Sequence, residues 1–284
     1  MKSKLKVALL AKQVRPAQAL ARRLAEEFRR RNVEALFDNE TAAALNLSRG
    51  FPRSRIPPDL RLVVTLGGDG TLLSAARAVS DRAEILGVNI GTLGFLTGVS
   101  GREVASLVED AILGRFDRDV RQLLEISVHD GKRLRRSRVL NDAVLNRGAL
   151  SRIARFTLRF DGQPFSSMRA DGLIISSPTG STAYNLSAGG PLLHPAVKGY
   201  LVTPICPHAL THRPIVLPAS KTLEVSAEAG TPEGIYLTLD GQEGYSLPAR
   251  SVLRARVSRR TVTLLRKPRH GYFTTLSEKL NWGA

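Results

Sequence analysis

The chain has 284 residues, of which 43% are hydrophobic, so it is long and apolar enough for one large or two ordinary folded domains and is not a disordered chain. Its 42 basic and 25 acidic residues give a formal net charge of +17, but the basic residues are dispersed and aromatic residues make up only 5%, which weighs against nucleic acid as a partner. No apolar run approaches the roughly 18 residues of a membrane-spanning helix, so no membrane partner is expected.

The N-terminal part alternates between apolar runs typical of strands and amphipathic segments typical of helices. The predicted strands are 6–12, 33–38, 61–66 and 84–90, and the predicted helices are 16–31 and a segment that ends near residue 80. Because strand and helix alternate, this part is predicted to be an α/β domain with a parallel sheet flanked by helices.

The pattern changes after about residue 100. One amphipathic helix is predicted at 101–113, and many short alternating segments separated by turn signals follow it. The dipeptides Asp130-Gly131, Asp161-Gly162 and Asp240-Gly241 are typical of hairpin turns between strands. The second domain is therefore predicted to be β-rich, of the α+β class.

Cys206 is the only cysteine, so no intramolecular disulfide can form and a cytoplasmic location is expected. Its neighbours Ile205 and Pro207 favour a small, packed apolar side chain over an exposed nucleophile. No chemistry is therefore assigned to this thiol.

A glycine-rich turn is the strongest local signal in the N-terminal part. The apolar strand 62–66 runs into Gly67-Gly68-Asp69-Gly70-Thr71, and an apolar helix follows, for which Thr71 is the predicted cap. Glycines let backbone amides approach a phosphate closely, and the N-terminus of a helix favours negative charge. A carboxylate in such an anion site is explained if Asp69 accepts a proton or orients a hydroxyl beside the phosphates. The structural alternative is a tight strand-to-helix turn with a surface aspartate.

Two common phosphate-binding motifs are absent. The chain has no G-x-x-x-x-G-K-[ST] sequence, so it has no P-loop. Gly68-Asp69-Gly70 continues as Thr71-Leu72-Leu73, so the third glycine of a dinucleotide-binding fingerprint is missing. The turn must therefore handle phosphate in another way.

The second domain contains its own cluster of small and polar residues. Arg169-Ala170-Asp171-Gly172 leads into an apolar strand, and the loop after it reads Pro178-Thr179-Gly180-Ser181-Thr182-Ala183-Tyr184 and then Ser187-Ala188-Gly189-Gly190-Pro191. Hydroxyls and amides suit the polar edges of a nucleotide, and Tyr184 could stack on a base; a serine-rich structural turn is the alternative. Asn141-Asp142 is a polar pair inside an apolar strand, where either the backbone or a ligand must satisfy it.

These motifs and their order, from residue 6 onward, resemble the NAD kinase family. The resemblance continues with Pro204-Ile205-Cys206-Pro207-His208, Arg213-Pro214 and the run 272–282. The Gly-Gly-Asp-Gly-Thr turn alone is not specific, since diacylglycerol kinases, sphingosine kinases and phosphofructokinases carry close relatives of it. The Thr-Gly-Ser-Thr-Ala-Tyr and Ser-Ala-Gly-Gly-Pro sequences are much more specific.

The resemblance implies transfer of the γ-phosphoryl group of ATP to the 2′-hydroxyl of the adenosine ribose of NAD, with Mg²⁺ or Mn²⁺ bridging the ATP phosphates and no protein metal site. It also implies a homodimer or homotetramer and an active site between the two domains. The C-terminal segment is implied to return to the first domain, so that the first domain comprises residues 1–99 and 267–284 and the second comprises residues 100–266. Polyphosphate as donor, NADH as acceptor and feedback by NADP(H) stay open. The alternatives are a lipid kinase of the same superfamily and a basic nucleic-acid-binding module.

The resemblance also assigns roles to individual residues. Asp69 is the implied proton acceptor. Four residues of its turn are implied to contact phosphate: Gly67, Gly68, Gly70 and Thr71. The implied NAD contacts are Gly70, Asn141, Asp142, Arg152, Arg169, Asp171, Thr182, Ala183, Tyr184, Asn185, Leu186, Ser187 and Gln242.

Overall fold

The computed structural model describes residues 5–57, 59–79, 83–91, 94–100, 104–148, 153–228, 234–248, 250–268 and 271–283. The chain divides into two compact units, Met1–Val120 with Thr261–Ala284, and Arg121–Arg260. None of the helices in the described part of the chain is both long and apolar enough to cross a membrane.

Strands and helices alternate in the first part of the chain, and strands dominate the rest. From the N-terminus the elements are β1 (Lys6–Ala11), α1 (Arg15–Arg30), β2 (Glu34–Phe37), α2 (Asn39–Ala44), β3 (Leu62–Gly67), α3 (Asp69–Val79), β4 (Glu84–Asn89), β5 (Val99–Ser100), α4 (Val104–Leu113), β6 (Asp117–His129), β7 (Leu134–Val139) and β8 (Asp142–Arg147). They continue as β9 (Ala154–Phe160), β10 (Gln163–Ala170), β11 (Gly172–Ser176), a 3-10 turn (Thr179–Thr182), α5 (Tyr184–Ser187), β12 (Gly199–Ile205), β13 (Ile215–Pro218), β14 (Leu223–Glu228), β15 (Ile235–Leu239), β16 (Glu243–Leu247), β17 (Val252–Arg266) and α6 (Tyr272–Leu280).

The first unit is built on a parallel sheet whose strands lie in the order β2, β1, β3, β4, with β2 at the edge. Every residue of β3 is buried, as expected for a strand covered on both faces. Helix α1 carries a proline in its first turn and buries an apolar stripe that includes Leu24 and Phe28, which explains why it packs on the sheet. The last part of β17 pairs with β4 in parallel, so chain from beyond residue 260 adds a strand to this sheet. The predicted α/β part with a parallel sheet is confirmed.

The second unit is β-rich, as predicted. One antiparallel sheet has the order β13, β12, β11, β8, β15, β16, and a second set of antiparallel strands runs β10, β9, β14 and the first part of β17. Alternate residues of both sets enter one apolar core, for example Phe156 and Val225 from one set and Leu145 and Leu173 from the other. The two sets therefore pack face to face within this unit.

Two predicted Asp-Gly turns have the backbone geometry that the dipeptide favours. Asp161 and Gly162 between β9 and β10 have φ of +51° and +81°, and Asp240 and Gly241 between β15 and β16 have φ of +51° and +64°. Positive φ at both central residues is the type I′ turn that matches the twist of a hairpin. The predicted turn at 130–131 also joins two paired antiparallel strands, β6 and β7.

The prediction for Cys206 is wrong. The residue is exposed and has a positive φ of +46° at the end of β12. Its apolar neighbours in the sequence suggested burial, but the chain turns out of the sheet here and carries the side chain to the surface. Exposure alone gives this thiol no role.

Candidate active site

Asp69 lies where the buried strand β3 ends and helix α3 begins. The helix starts at Asp69 itself, and the carbonyl of Gly68 accepts hydrogen bonds from the backbone N–H groups of Thr71 and Leu72 at 3.0 and 3.4 Å. The prediction that Thr71 caps the helix is therefore wrong: Thr71 is a buried residue of the first helical turn. Only one residue, Gly68, separates the end of the strand from the start of the helix, so the turn is tighter than the sequence pattern suggested.

The carboxylate of Asp69 is held by the loop that follows β4. Its Oδ2 accepts a hydrogen bond from the Phe95 N–H at 2.8 Å, and its Oδ1 accepts from the N–H groups of Leu96 and Thr97, each at 3.1 Å. The Thr97 hydroxyl adds a longer contact to Oδ1 at 3.3 Å. Three consecutive amides therefore fix the position of both carboxylate oxygens.

The loop of residues 94–97 that binds the Asp69 carboxylate, here called the cradle, depends on glycine at position 94. A Cβ placed on Gly94 would lie 1.9 Å from Oδ1 of Asp69, so any side chain there would displace either the carboxylate or the loop. The glycine is needed because the two backbones approach closely. Gly94 stands in a glycine- and threonine-containing run after a strand, but nothing in that run of the sequence indicates a contact with Asp69.

The glycines of the turn differ in their surroundings. A Cβ on Gly67 would lie 2.4 Å from Oγ1 of Thr71, so this position packs against the helix. A Cβ on Gly68 would meet no atom within 4 Å, and Gly70 is exposed. Of these three glycines, Gly68 thus leaves space beside the start of α3 for a ligand and Gly70 lies at the surface, whereas Gly67 serves packing.

In the second unit, Asn141 and Asp142 lie at the start of β8, where their backbone N–H groups donate to the buried carboxylate of Asp240. Oδ1 of Asp240 accepts from the N–H groups of Asn141 and Asp142 at 2.8 and 3.2 Å, and Oδ2 accepts from the Leu140 N–H at 3.2 Å. In the sequence Asp240 is marked only as a turn residue, and no local signal points to this contact across about a hundred residues of chain. The hydrogen bonds of Asp240 therefore fix the backbone of Asn141 and Asp142, the two predicted NAD contacts in this segment.

Asp142 is a buried carboxyl group, with 4% of its surface exposed. Burial raises the pKa of its side chain to about 7, and the negative charge of the neighbouring Asp240 adds to the increase. Asp142 therefore changes its charge near neutral pH, unlike an ordinary surface aspartate.

This shift has a measurable effect on stability. A carboxyl whose pKa rises on folding opposes folding once it is ionised, so this cost grows between about pH 4 and pH 7 and is complete above that. Asp142→Asn should remove it, and the variant should therefore gain stability relative to the parent as pH rises, by at most about 4 kcal/mol at about 1.4 kcal/mol per pKa unit. Urea unfolding at pH 5, 6, 7 and 8.5 would measure the difference.

The control for this prediction is Asp161→Asn. Asp161 is an aspartate of the same unit, but its carboxylate is exposed and paired with Lys221, so its replacement should not change the pH dependence of stability in the same way. Parallel pH profiles for the parent and Asp142→Asn would contradict the assignment of a raised pKa to Asp142.

The loop after β11 is hydrogen-bonded to the backbone of Leu140 and Asn141. The carbonyl of Asn141 accepts from the Ser177 N–H at 2.8 Å, and the hydroxyl of Ser177 donates to the Leu140 carbonyl while accepting from the Gly180 N–H. A Cβ on Gly180 would lie 2.3 Å from the Asn141 carbonyl oxygen, so this residue too must be glycine. The structure thus brings together the polar pair and the Thr-Gly-Ser-Thr-Ala-Tyr segment, which are separate in sequence.

Asn185 and Tyr184 differ sharply within this loop. Asn185 is fully buried, its Nδ2 donates to the carbonyls of Ser181 and Pro191, and its Oδ1 accepts from the Thr203 hydroxyl at 2.7 Å. Tyr184 has 45% of its surface exposed. Tyr184 is therefore available to a ligand, whereas the amide of Asn185 is occupied in holding the loop together.

The remaining predicted residues lie at two ends of the second unit. Gln242 is exposed directly after the turn that carries Asp240, at the same end of the sheet as Asp142. Asp171 precedes β11 at its other end, where its carboxylate accepts from Arg147 at 2.7 Å, and Arg169 is exposed nearby. Five residues of strand separate the two ends, or about 17 Å at about 3.3 Å per residue.

The other predicted NAD contacts have few described interactions. Thr182, Ala183 and Leu186 are partly buried and Ser187 is exposed, and all four lie within three residues of Tyr184 along the chain. Arg152 lies outside the described residues. Within the described residues, no three His, Cys, Asp or Glu side chains are grouped so as to hold a metal ion.

The chain matches two family models along most of its length. The ATP-NAD kinase N-terminal domain matches residues 5–116, and the ATP-NAD kinase C-terminal domain matches residues 140–267. The chain is 41% identical over 281 residues to an NAD kinase of Geotalea daltonii, covering 98% of this chain and 99% of that one. It is 40% identical over 269 residues to an NAD kinase of Solibacter usitatus, covering 94% and 93%.

Two solved structures share the fold. A yeast NADH kinase complexed with NADH superimposes with a TM-score of 0.90 at 23% identity and covers 100% of this chain and 89% of that one. An NAD kinase from Archaeoglobus fulgidus in complex with ATP gives a TM-score of 0.75 at 23% identity, with 98% and 99% covered. At this identity the two structures support the architecture, and the family assignment comes from the sequence matches.

These findings agree with the NAD kinase interpretation of the motifs and give no support to a lipid kinase or a nucleic-acid-binding module. Both family models lie in the expected order, and each covers one of the two predicted motif groups. The N-terminal model contains the Asp69 turn, and the C-terminal model contains Asn141 and the Tyr184 loop. The chain therefore belongs to the ATP-NAD kinase family.

Proposed function

We propose that this chain transfers the γ-phosphoryl group of ATP to the 2′-hydroxyl of the adenosine ribose of NAD, and that Asp69 accepts the proton of that hydroxyl. The bond from the hydroxyl oxygen to the γ-phosphorus forms, the bond from that phosphorus to the β,γ-bridging oxygen breaks, and ADP leaves. The observation that carries the proposal is the fixed carboxylate of Asp69 at a glycine turn beside a helix N-terminus. Phosphoryl transfer needs mostly positioning and charge neutralisation, which such a site supplies.

The hydrogen bonds of Asp69 favour one oxygen as the proton acceptor. Oδ1 accepts hydrogen bonds from two amides and the Thr97 hydroxyl, whereas Oδ2 accepts one from the Phe95 amide. A carboxylate oxygen can accept about two hydrogen bonds in good geometry, so Oδ2 retains more capacity for a hydroxyl proton. We therefore assign the proton to Oδ2.

The phosphates of ATP are proposed to lie against Gly68 and Gly70. Gly68 has space beside it and Gly70 is exposed, and both lie at the start of α3, an eleven-residue helix whose N-terminal dipole favours negative charge. The divalent ion is proposed to enter as part of the metal–ATP substrate, bridged by its phosphates, where it would neutralise charge during the transfer.

The NAD side of the site is proposed to consist of Asn141, Asp142, Gln242 and the surface of the loop 182–187. These residues share one end of a sheet, and Tyr184 offers an exposed ring for stacking. Asn185 is proposed to position this loop rather than to contact NAD with its side chain, since its amide is buried and bonded to protein atoms.

Asp171 and Arg169 are proposed to serve a dinucleotide bound to a neighbouring copy. Their end of β11 lies about 17 Å along the strand from Asp142, which supports a homo-oligomer in which one copy completes the site of another. Static light scattering of the purified protein would give the oligomeric state. A monomer would remove this part of the proposal and leave the reaction untouched.

We propose a cytoplasmic location on the ground of the single cysteine.

The reaction is tested directly by incubating the purified protein with NAD, ATP and Mg²⁺ and detecting NADP with an NADP-specific dehydrogenase. NADP formation that depends on ATP and on the metal is the expected result. Parallel reactions with polyphosphate and with NADH define the donor and acceptor range. No product with any donor, together with phosphorylation of diacylglycerol, would overturn the proposal in favour of a lipid kinase.

A further inference from the structure

A buried arginine lies behind the loop that holds Asp69. Arg266 is the last residue of β17, and only 7% of its surface is exposed. Its Nε donates to Oδ2 of Asp119 at 3.1 Å, and one terminal nitrogen donates to the carbonyl oxygen of Phe95 at 3.0 Å. Burying a guanidinium group is costly, so its hydrogen-bond partners are expected to be well defined.

The contact with Phe95 links Arg266 to the proposed base. The carbonyl of Phe95 accepts from Arg266, and the N–H of the same residue donates to Oδ2 of Asp69 at 2.8 Å. Oδ2 is the oxygen proposed to take the proton of the substrate hydroxyl. Arg266 therefore holds the residue that orients the reactive oxygen.

The geometry of the loop supports this link. Between Phe95 and the end of the cradle at Thr97, consecutive N–H groups point to Asp69, so these peptide planes cannot rotate independently. Next along the chain, a Cβ placed on Gly98 would be in van der Waals contact with Cδ of Arg266 at 3.5 Å, so the arginine stem runs beside the loop with room for no more than a methyl group between them. A shift of the guanidinium group would therefore reach the amides that bind Asp69.

Other arginines of β17 do not have this environment. Arg254 and Arg256 pair with Glu224 and Glu125, and both guanidinium groups are exposed. Exposed pairs of this kind contribute little to structure because water screens them. The burial and the bond to a cradle carbonyl set Arg266 apart from these two.

We propose that Arg266 is a positioning residue for Asp69: by holding the Phe95 carbonyl it keeps the Phe95–Thr97 amides aimed at the carboxylate and Oδ2 aimed at the substrate hydroxyl. This inference rests on the proposed role of Asp69. Arg266 is too deeply buried to be a substrate ligand, and it acts through the loop.

The test compares Arg266→Lys and Arg266→Met with Arg256→Met as a matched control on the same strand. A lysine ammonium keeps the charge but lacks the planar fork that reaches two partners in fixed directions. Both Arg266 variants should lower kcat by about tenfold or more and leave KM for NAD within about twofold, since misplacing a reacting group by about 1 Å slows the reaction without weakening the binding of NAD. Arg256→Met should keep both parameters.

A double-mutant cycle separates positioning from general damage. In an Asp69→Asn background, Arg266→Lys should lower kcat by less than about twofold further, because the group it positions is already gone. An undiminished tenfold loss in that background would overturn the proposal, as would a kcat within twofold of the control in the parent background. Absence of NADP formation by the parent enzyme would instead refute the proposed function itself.

A further variant covers the case in which Arg266→Met does not fold, as judged by thermal unfolding. Asp119→Asn removes the charge partner but leaves the donation from Arg266 to Phe95 in place, so kcat should stay within about threefold of the parent. A loss as large as that of Arg266→Lys would mean that the ion pair, not the Phe95 contact, controls the site, and the proposal would fall.

Discussion

Replacing Asp69 with asparagine should lower kcat about 10²- to 10⁴-fold while NAD still binds. A positioned general base contributes about that much to a rate, and an amide cannot accept the hydroxyl proton. The amide also turns its N–H₂ group toward at least one of the N–H groups of Phe95, Leu96 and Thr97, where two donors would face each other. The measurements are steady-state kinetics for the rate and titration calorimetry for NAD affinity.

Two variants show whether the loss comes from the missing base. Asp59→Asn changes an exposed aspartate of the same unit and should keep full activity. Thr97→Val removes the 3.3 Å hydroxyl contact to Oδ1, and with it the acceptor of the Gly94 N–H and of the Asn89 amide. It leaves the carboxylate of Asp69 and its three amide donors in place, so its loss of kcat should be far smaller than that of Asp69→Asn. Near-normal turnover by Asp69→Asn would show that another group takes the proton.

Gly180→Ala should raise KM for NAD by about tenfold or more. The added methyl group would lie 2.3 Å from the carbonyl oxygen of Asn141 and 2.6 Å from its carbonyl carbon, and backbone atoms cannot move aside as a flexible side chain can. The loop that carries Tyr184 must therefore separate from the Asn141–Asp142 segment, which splits the proposed NAD contacts. Overpacking of this kind costs about 1–3 kcal/mol of stability, so thermal unfolding should accompany the kinetics.

Gly271→Ala is the matched control for Gly180→Ala. Gly271 precedes helix α6 with an ordinary negative φ, and a Cβ there meets no atom within 4 Å. This variant should leave KM for NAD unchanged. If Gly180→Ala also kept KM within about twofold while folding normally, the contact between the loop and Asn141 would have no part in binding.

Local chemistry explains which features could be predicted from the sequence. The parallel strands, the amphipathic helix α1 and the two type I′ turns follow from residues that are neighbours in sequence, since periodicity and the positive φ of Asp-Gly pairs act over a few residues. The errors also arose locally. Thr71 is a good cap by residue type, but the helix begins two residues earlier. Cys206 has apolar neighbours, yet the chain leaves the sheet there.

The family, the two-part architecture and the candidate base can all be predicted from the sequence, because they depend on short motifs in a fixed order. The contacts that hold those motifs in place become visible only in the folded chain. The amides that bind Asp69 come from 26 to 28 residues away, the carboxylate over Asn141 from 99, and the guanidinium group behind Phe95 from 171. No local pattern encodes such contacts, because a buried hydrogen bond forms only after separate strands have packed and removed its partners from water.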